Sequence, residues 1–445
     1  MDELIGNHMD YIKKKLIDKG EKERAVVKRL IGEFGEVVVE SVNIDQILTG
    51  MKGMTSLLTV TSKLDPENGI RYRGHSIPDL QEKLPKIKPD GEPLPEGLFY
   101  LMLLDEMPTR EDADHLSKEW YNRSHVPYHV IKVIEAMPIT SKPMTQFSTG
   151  IISMATDSIF QKAHRAGLNK NDYWDTTYED VMNLIARLPV IAAYIYRRSF
   201  KDGSFIEPDR NLDWAANFAH MMGYDDEEIY RLFRMYLCIH ADHEGGNVSA
   251  HATHLVGSAL SNPYYSYAAG MLGLAGPLHG YANQEVMYWI SEMLKEIGND
   301  RDDKVIREKI EAYVRKTISE GKVIPGYGHA VLRVTDPRFT AQQIFAEKYI
   351  KDDHLVNIVN MLYEIVPPIL KSLGKVKNPW PNVDAFSGAL LHHYGITEYF
   401  FYTVMFGVSR ALGVLAQLVW DRMYNLPLER PSSETLEWFK GKAGI

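Results

Sequence analysis

The stretch "SNPYYSYAAGMLGLAG" (261–276) decides what kind of fold this chain makes. It opens on a cap residue, places Pro263 in the first turn, and runs on in small and apolar residues, which is how a helix begins and continues. "TDPRFTAQQIFAEKYI" (335–350) follows the same pattern with Asp336 and Pro337. Helical periodicity of this kind dominates the chain, and strict alternation is scarce. Its clearest case, "LLTVTSKLDPENGIRYRG" (57–74), sets two short runs around the turn-forming "DPENG" and reads as a hairpin. "EVVVESV" (36–42) is a weaker strand candidate, and "KIKPDGEPLPEG" (86–97) reads as a surface loop. The expectation is a mainly α fold with a minor β-hairpin near the N-terminus. No low-complexity linker or internal repeat interrupts it.

A chain of 445 residues with 45% apolar and 24% charged residues can bury a large core, as one large domain with a second lobe or as several domains. A net charge of −9 argues against non-specific binding to nucleic acid or an anionic membrane, but leaves room for small anions held by local arginines. Cys238 is the only cysteine, so no intrachain disulfide or cysteine-based metal cluster can form, and a reducing compartment is the natural expectation. The N-terminus reads as an amphipathic charged helix, with Asp2 and Glu3 against a transit peptide and no apolar core for a secretory signal. No apolar run reaches the roughly 18 residues of a membrane span; "ALGVLAQLVW" (411–420) is closed off by Arg410 and Asp421, so a soluble protein is expected.

Dinucleotide, phosphate-loop and nucleophile-elbow fingerprints are all absent. What the chain does carry is "HADHEGGNVSAHATH" (240–254), with four histidines around two adjacent glycines. His243-Glu244 lacks a second ligand at zinc spacing, so a metal fits poorly. Adjacent glycines break a helix and let backbone approach a ligand, with His243 beside them to donate a hydrogen bond. The alternative is a Gly-kinked helix with satisfied core histidines.

Four further segments carry candidate chemistry. "GLAGPLHGYANQEV" (273–286) puts His279 where a helix starts, so that the helix dipole would favour neutral imidazole, unless it is a buried capping histidine. "VIPGYGHAVLRVTDPRFT" (323–340) brings His329 after a Gly-Tyr-Gly turn, Arg333 four residues on along one helix face, and Arg338 in the first turn of the next helix. "GKVKNPWPNVDAFSGALL" (374–391) supplies Lys375, Lys377 and Asp384, the last a tuned base or an N-cap. "FGVSRALGVLAQLVW" (406–420) sets Arg410 inside an apolar helix, where an unpaired guanidinium is costly and an anion should meet it. Arg430, between Pro427 and Pro431, looks positioned rather than mobile. Together these suit a small dicarboxylate whose carbonyl is attacked by a carbon nucleophile.

These segments, with "IHADHEGGNVSAHATHLVGSAL" (239–260) and "PLERP" (427–431), closely resemble the citrate synthases of mitochondrial type, in one order from about residue 35 to about 431. The resemblance implies a two-lobed, almost all-helical homodimer: a large lobe over 1–280 and 396–445, and a small lobe over 281–395 that closes on the substrates. It implies an acyltransferase (EC 2.3.3 class) that condenses acetyl-CoA with oxaloacetate and hydrolyses the thioester to citrate and CoA. Asp384 would remove the methyl proton, His279 would hydrogen-bond the enolate, and His329 would polarise the oxaloacetate carbonyl. His243, Arg338 and Arg410 would hold the dicarboxylate, with Arg430 reaching in from the partner subunit. Arg73, Arg333, Lys375 and Lys377 would serve CoA, and Lys170 of the other subunit would meet a CoA phosphate. No metal or cofactor is implied, acetyl-CoA being a substrate, and neither nucleic acid nor membrane is expected as a partner.

The implied chemistry is physically coherent. A thioester methyl is weakly acidic, so a carboxylate base works only if the enolate is stabilised as it forms. His240, His251 and His254 then fall to packing or support. Two departures from the family pattern stand out: Phe386 in place of histidine, which would dry the site or simply pack, and Lys170 in place of arginine, a point charge for a fork. The alternatives are a 2-methylcitrate synthase using propionyl-CoA and a non-catalytic CoA or dicarboxylate sensor. A bacterial cytoplasmic protein is expected, the alternative being a processed form in the mitochondrial matrix.

Overall fold

The computed structural model describes residues 2–374 and 376–445, with side chains from residue 11 onward. Among the described residues, helices dominate and one small sheet is present. The stretch that opened the sequence reading is the helix Pro263–Leu274, with Asn262 as its cap accepting from the Tyr265 N–H. Asp336 caps the helix Pro337–Tyr349 in the same way.

The expected hairpin forms, but starts later than the apolar run suggested. Strands β1 (Ser62–Asp65) and β2 (Gly69–Tyr72) pair antiparallel with Leu64 opposite Ile70, and a third strand β3 (His75–Ser76) adds to β2. The Asp65 carboxylate closes the turn by accepting from the N–H groups of Glu67 and Asn68. Residues 37–42 form no regular element: Val38 and Val39 are about four-fifths exposed, and among the described residues no strand pairs with them. The surface-loop expectation at 86–97 fails in its second half. Every residue of the helix Pro95–Leu104 is buried, and Glu96 inside it accepts from the Ser117 hydroxyl and the Trp214 N–H.

Two long helices, Tyr173–Phe200 and Tyr402–Met423, pack along each other through the centre. Each Leu, Ile or Val they bury fully contributes on the order of 1.5–3 kcal/mol. The stretch Tyr399–Met423 is long and apolar enough to cross a membrane, contrary to the sequence expectation, but 94% of its most apolar window is buried inside the protein, as in a core helix. The helices Val248–Ser258 and Pro263–Leu274 form an antiparallel pair against it. The helices Ala282–Ile297, Asp303–Ser319, His354–Ser372 and Asp384–His393 pack mainly on one another, with Pro337–Tyr349 against the last of them. That second group meets the first across the loops that carry the candidate residues.

Candidate active site

The histidine-rich segment is built from its anchors outward. The helix Glu227–Ile239 ends before it, and residues 240–247 are irregular. Asp242 is buried and accepts from the hydroxyls of Thr61 (2.6 Å) and Ser62 (2.7 Å), which ties the segment to β1. Gly413 of the core helix donates its N–H to the Ala241 carbonyl, and a Cβ there would overlap Asp242. The turn is made by Glu244, not by the two glycines: its φ is +55°, while Gly245 and Gly246 avoid the left-handed region. Ser62 Oγ accepts from the Glu244 N–H at 2.8 Å and holds that turn. His243 is thereby presented beside His329, ring centroids 5.4 Å apart, with its Nε2 occluded and unpartnered among the described residues. Burial first, then the Arg338 charge, pushes its pKa well below the ordinary value, so the ring is neutral.

His279 lies in the turn before the helix Ala282–Ile297, not on its first turn. Its Nε2 accepts the backbone N–H of Ser249 (3.3 Å) and lies 3.1 Å from Ser249 Oγ, whose proton goes to Asn247. A nitrogen that accepts a peptide N–H carries no proton, so the proton sits on Nδ1. Burial, with Arg410 second, lowers its pKa to about 4; these causes replace the expected helix dipole.

His329 is fixed in the opposite sense. Its Nδ1 accepts the N–H groups of Val331 (3.0 Å) and Leu332 (3.1 Å), which puts the proton on Nε2. Burial, then Arg338, lowers its pKa to about 4. The segment around it is irregular rather than helical until Pro337, so Arg333 does not share a helix face with His329; its guanidinium donates to the carbonyls of Ala330 and Leu332. The loop is held instead by backbone: Gly328 donates to the Trp380 carbonyl, and Asn382 donates to Gly326 and Gly328. Gly326 has φ +79°, with no room for a Cβ against Ala385.

The same lacing sets Asp384, whose N–H donates to Asn382 Oδ1 at 3.0 Å as its helix begins. The N-cap is Val383, so the Asp384 carboxylate does not cap, and among the described residues no hydrogen-bond donor reaches it. Burial raises its pKa to about 6, against the pull of Arg338 and Arg410. Phe386, two residues on and so on the opposite face of the helix, is fully buried edge-on against Phe339; it packs, and does not line the site.

Arg338 is locked by Asp336, with Nε–Oδ1 at 3.0 Å and Nη2–Oδ2 at 2.7 Å, both residues buried. Arg410, 1% exposed, donates to the His240 carbonyl (3.2 Å), Asn247 Oδ1 (3.1 Å) and Ser249 Oγ (3.3 Å), and its guanidinium lies over Phe406. No carboxylate bonds it. The site therefore holds neutral imidazoles, one compensated arginine and one uncompensated arginine, an arrangement that receives an anion. Asn247 and Ser249 were missed in the sequence; the signal that could have found them is the Asn cap before "VSAHATHLVG".

The remaining candidates stand apart. Arg73 turns inward, donating to the Met102 carbonyl with its guanidinium over Trp420, so its expected CoA role gains nothing from its position. Arg333, Lys377, Lys170 and Arg430 are exposed, and Lys375 lies outside the described residues. Among the described residues, no three His, Cys, Asp or Glu side chains gather as a metal site.

Comparison with known proteins places the chain among relatives of one family. The family described as citrate synthase, C-terminal domain, covers residues 50–432. The chain is 57% identical to the mitochondrial citrate synthase of Daucus carota over 93% of its own length and 87% of that protein's. It is 55% identical to citrate synthase 4, mitochondrial, of Arabidopsis thaliana over 93% of this chain and 86% of that one. Among solved structures, the citrate synthase of Pyrobaculum aerophilum superposes with a TM-score of 0.76 at 26% identity, over 90% of this chain and 97% of that chain. Likeness that runs unbroken through every site-bearing segment makes this chain a member of the citrate synthase family.

Proposed function

We propose that Asp384, His279 and His329 carry the condensation of acetyl-CoA with oxaloacetate. The observation that carries this reading is the opposed protonation of the two histidines, each locked by backbone N–H groups. Asp384 takes a methyl proton from acetyl-CoA while the Nδ1–H of His279 donates to the thioester oxygen, where negative charge develops. The carbanionic methyl carbon then bonds to the ketone carbon of oxaloacetate, whose oxygen receives the hydrogen bond of the His329 Nε2–H. Water finally cleaves the thioester, releasing citrate and CoA thiol. A base near pKa 6 is ionised at neutral pH yet stronger than an ordinary aspartate, and the preformed donors do not have to reorganise as charge appears.

His243, Arg338 and Arg410 hold the dicarboxylate. Arg333, Lys375 and Lys377 are assigned to CoA, whose phosphates suit cations such as the exposed Arg333 and Lys377; Arg73, with its guanidinium turned inward, is the weakest of that set. The two packed groups of helices support a large lobe and a small lobe over 281–395 that closes over the substrates and excludes water.

A homodimer is supported by an apolar stripe that the fold leaves uncovered. Val248 and Leu255, one heptad apart, and Tyr265 and Leu272, likewise, are all 42–60% exposed on one helical pair. In such a dimer Arg430 and Lys170, exposed here, serve the neighbouring subunit's site. The identity to enzymes named as mitochondrial supports the matrix as location over the bacterial cytoplasm expected from the sequence.

The test is Asp384→Asn, assayed by thiol release with oxaloacetate and acetyl-CoA and by calorimetric titration of oxaloacetate. Loss of turnover with oxaloacetate binding kept supports the base. Equal loss of both would make the aspartate structural.

A further inference from the structure

One cluster of titratable groups lies outside the site. On the helix Val248–Ser258, His251 Nε2 lies 2.9 Å from Glu429 Oε1, and His254 Nε2 lies 3.4 Å from Glu429 Oε2. The other ring nitrogen of His254 lies 2.9 Å from Asp421 Oδ2, on the core helix. Asp421 is 6% exposed, and its second oxygen accepts from Gln417 at 2.9 Å. Residues 425–435 form no regular element. Glu429 is tied down by these two histidines and by its own N–H, which donates to Ser258 Oγ at 3.0 Å. All three contacts come from one helix, and the next residue along is Arg430.

We propose that His251 and His254 are positioning residues: by gripping Glu429 they present Arg430 to the oxaloacetate site of the neighbouring subunit. This rests on the reading above that Arg430 acts across the dimer. The grip is electrostatic. His254 hydrogen-bonds Asp421 through Nδ1, while its Nε2 meets Glu429 Oε2 at 3.4 Å as an ion pair rather than a hydrogen bond, so it attracts both carboxylates only when both nitrogens are protonated. Asp421 is the leading cause that raises the His254 pKa above its ordinary value; Glu429 adds to it, while burial and Arg422 oppose it. The groups that face His254 are Asp421 and Arg422 from the core helix, Glu429 from the following segment and His251 from its own helix; Asp242 and Glu244 line the same small cavity. The sign follows: the His254 bridge is complete below the ordinary histidine range and loosens as pH rises through the raised value, when a neutral His254 no longer attracts both Glu429 and Asp421. A merely structural contact would not give the oxaloacetate KM such a dependence.

The experiment compares full-length wild type, Glu429→Gln, His254→Gln and Arg430→Ala by steady-state kinetics from pH 6 to 9, with mass by light scattering. Glu429→Gln leaves the His254–Asp421 pair in place and guards against misfolding of the histidine variant. The expected result is a rise of about fivefold in the oxaloacetate KM for Glu429→Gln and His254→Gln, the scale of a partly exposed charge pair. With it, kcat and the acetyl-CoA KM stay within about twofold, and the alkaline rise in oxaloacetate KM expected of wild type is lost. Dimeric variants with wild-type KM and an intact alkaline rise, beside an Arg430→Ala that weakens oxaloacetate, would overturn the clamp and leave the Arg430 assignment standing. An Arg430→Ala with unchanged oxaloacetate KM would instead remove that assignment and the clamp with it. Dissociation of both Glu429→Gln and His254→Gln into monomers, with kcat lost, would also overturn the clamp by making the cluster an interface support.

Discussion

The backbone N–H of Ser249 donates to Nε2 of His279 across 3.3 Å, and that contact decides which imidazole nitrogen is free to donate. Because the donor is main chain, Ser249→Ala keeps it and loses only the hydroxyl that also meets Arg410. Thiol-release assays should show kcat for Ser249→Ala lowered by less than about tenfold, against about 10²–10³ for His279→Ala, which removes a donor at the developing oxyanion.

Asp384 should set the acid limb of the rate profile. Its pKa near 6 lies above those of His279 and His329, both near 4, so between pH 6 and 5 only one proton is taken up among these three. The expected result is kcat/KM falling about fivefold over the unit below that pKa, and about tenfold for each unit beyond. The raised value also carries a stability cost, fully present above pH 6 and relieved as pH falls through it. From 3.8 to about 6, that cost is on the order of 3 kcal/mol. Asp384→Asn should therefore unfold at higher denaturant than wild type at pH 7.5, while being inactive.

Arg410 is a buried guanidinium bonded to neutral oxygens only. Replacing it by Met removes an uncompensated charge and keeps volume, so thermal stability should be unchanged or higher. Calorimetry should show oxaloacetate binding weakened by about a hundredfold or more, the scale of a desolvated charge pair. A loss of fold instead would make Arg410 a structural residue.

The uncovered stripe on the helical pair gives a direct test of assembly. Leu255→Lys with Leu272→Lys places like charges on a face of one chain that would meet its own copy. Light scattering should report monomers, and thiol release should fall with them, because Arg430 then has no neighbour to serve.

Much of this was legible in the sequence because helices announce their ends. Asn262-Pro263 and Asp336-Pro337 gave their boundaries by local chemistry alone. Site residues such as His279 and Asp384 stood out as polar groups in apolar or Gly-rich surroundings. What could not be read was cause and orientation. His279 owes its neutral state to burial and Arg410, which are set by segments 30 and more residues away, and Phe386 packs because a helix turns it from Asp384. Asn247 and Ser249 escaped because a cap and a helical serine look alike whether or not an arginine lies above them. Arg73 misled for the converse reason: a cation in a polar turn gives no sign that Trp420, far along the chain, will cover it.

The core helix Tyr402–Met423 carries a consequence for how the molecule is made. It supplies Arg410, and its Gly413 seats the segment that presents His243, yet it is translated after the segments that carry His243, His279, His329 and Asp384. A ribosome must release this helix before the imidazoles and Asp384 can take up their relation, so catalytic competence waits on the last of these segments to emerge. Until then the growing chain holds an unfilled slot along Tyr173–Phe200, the kind of surface that chaperones shelter.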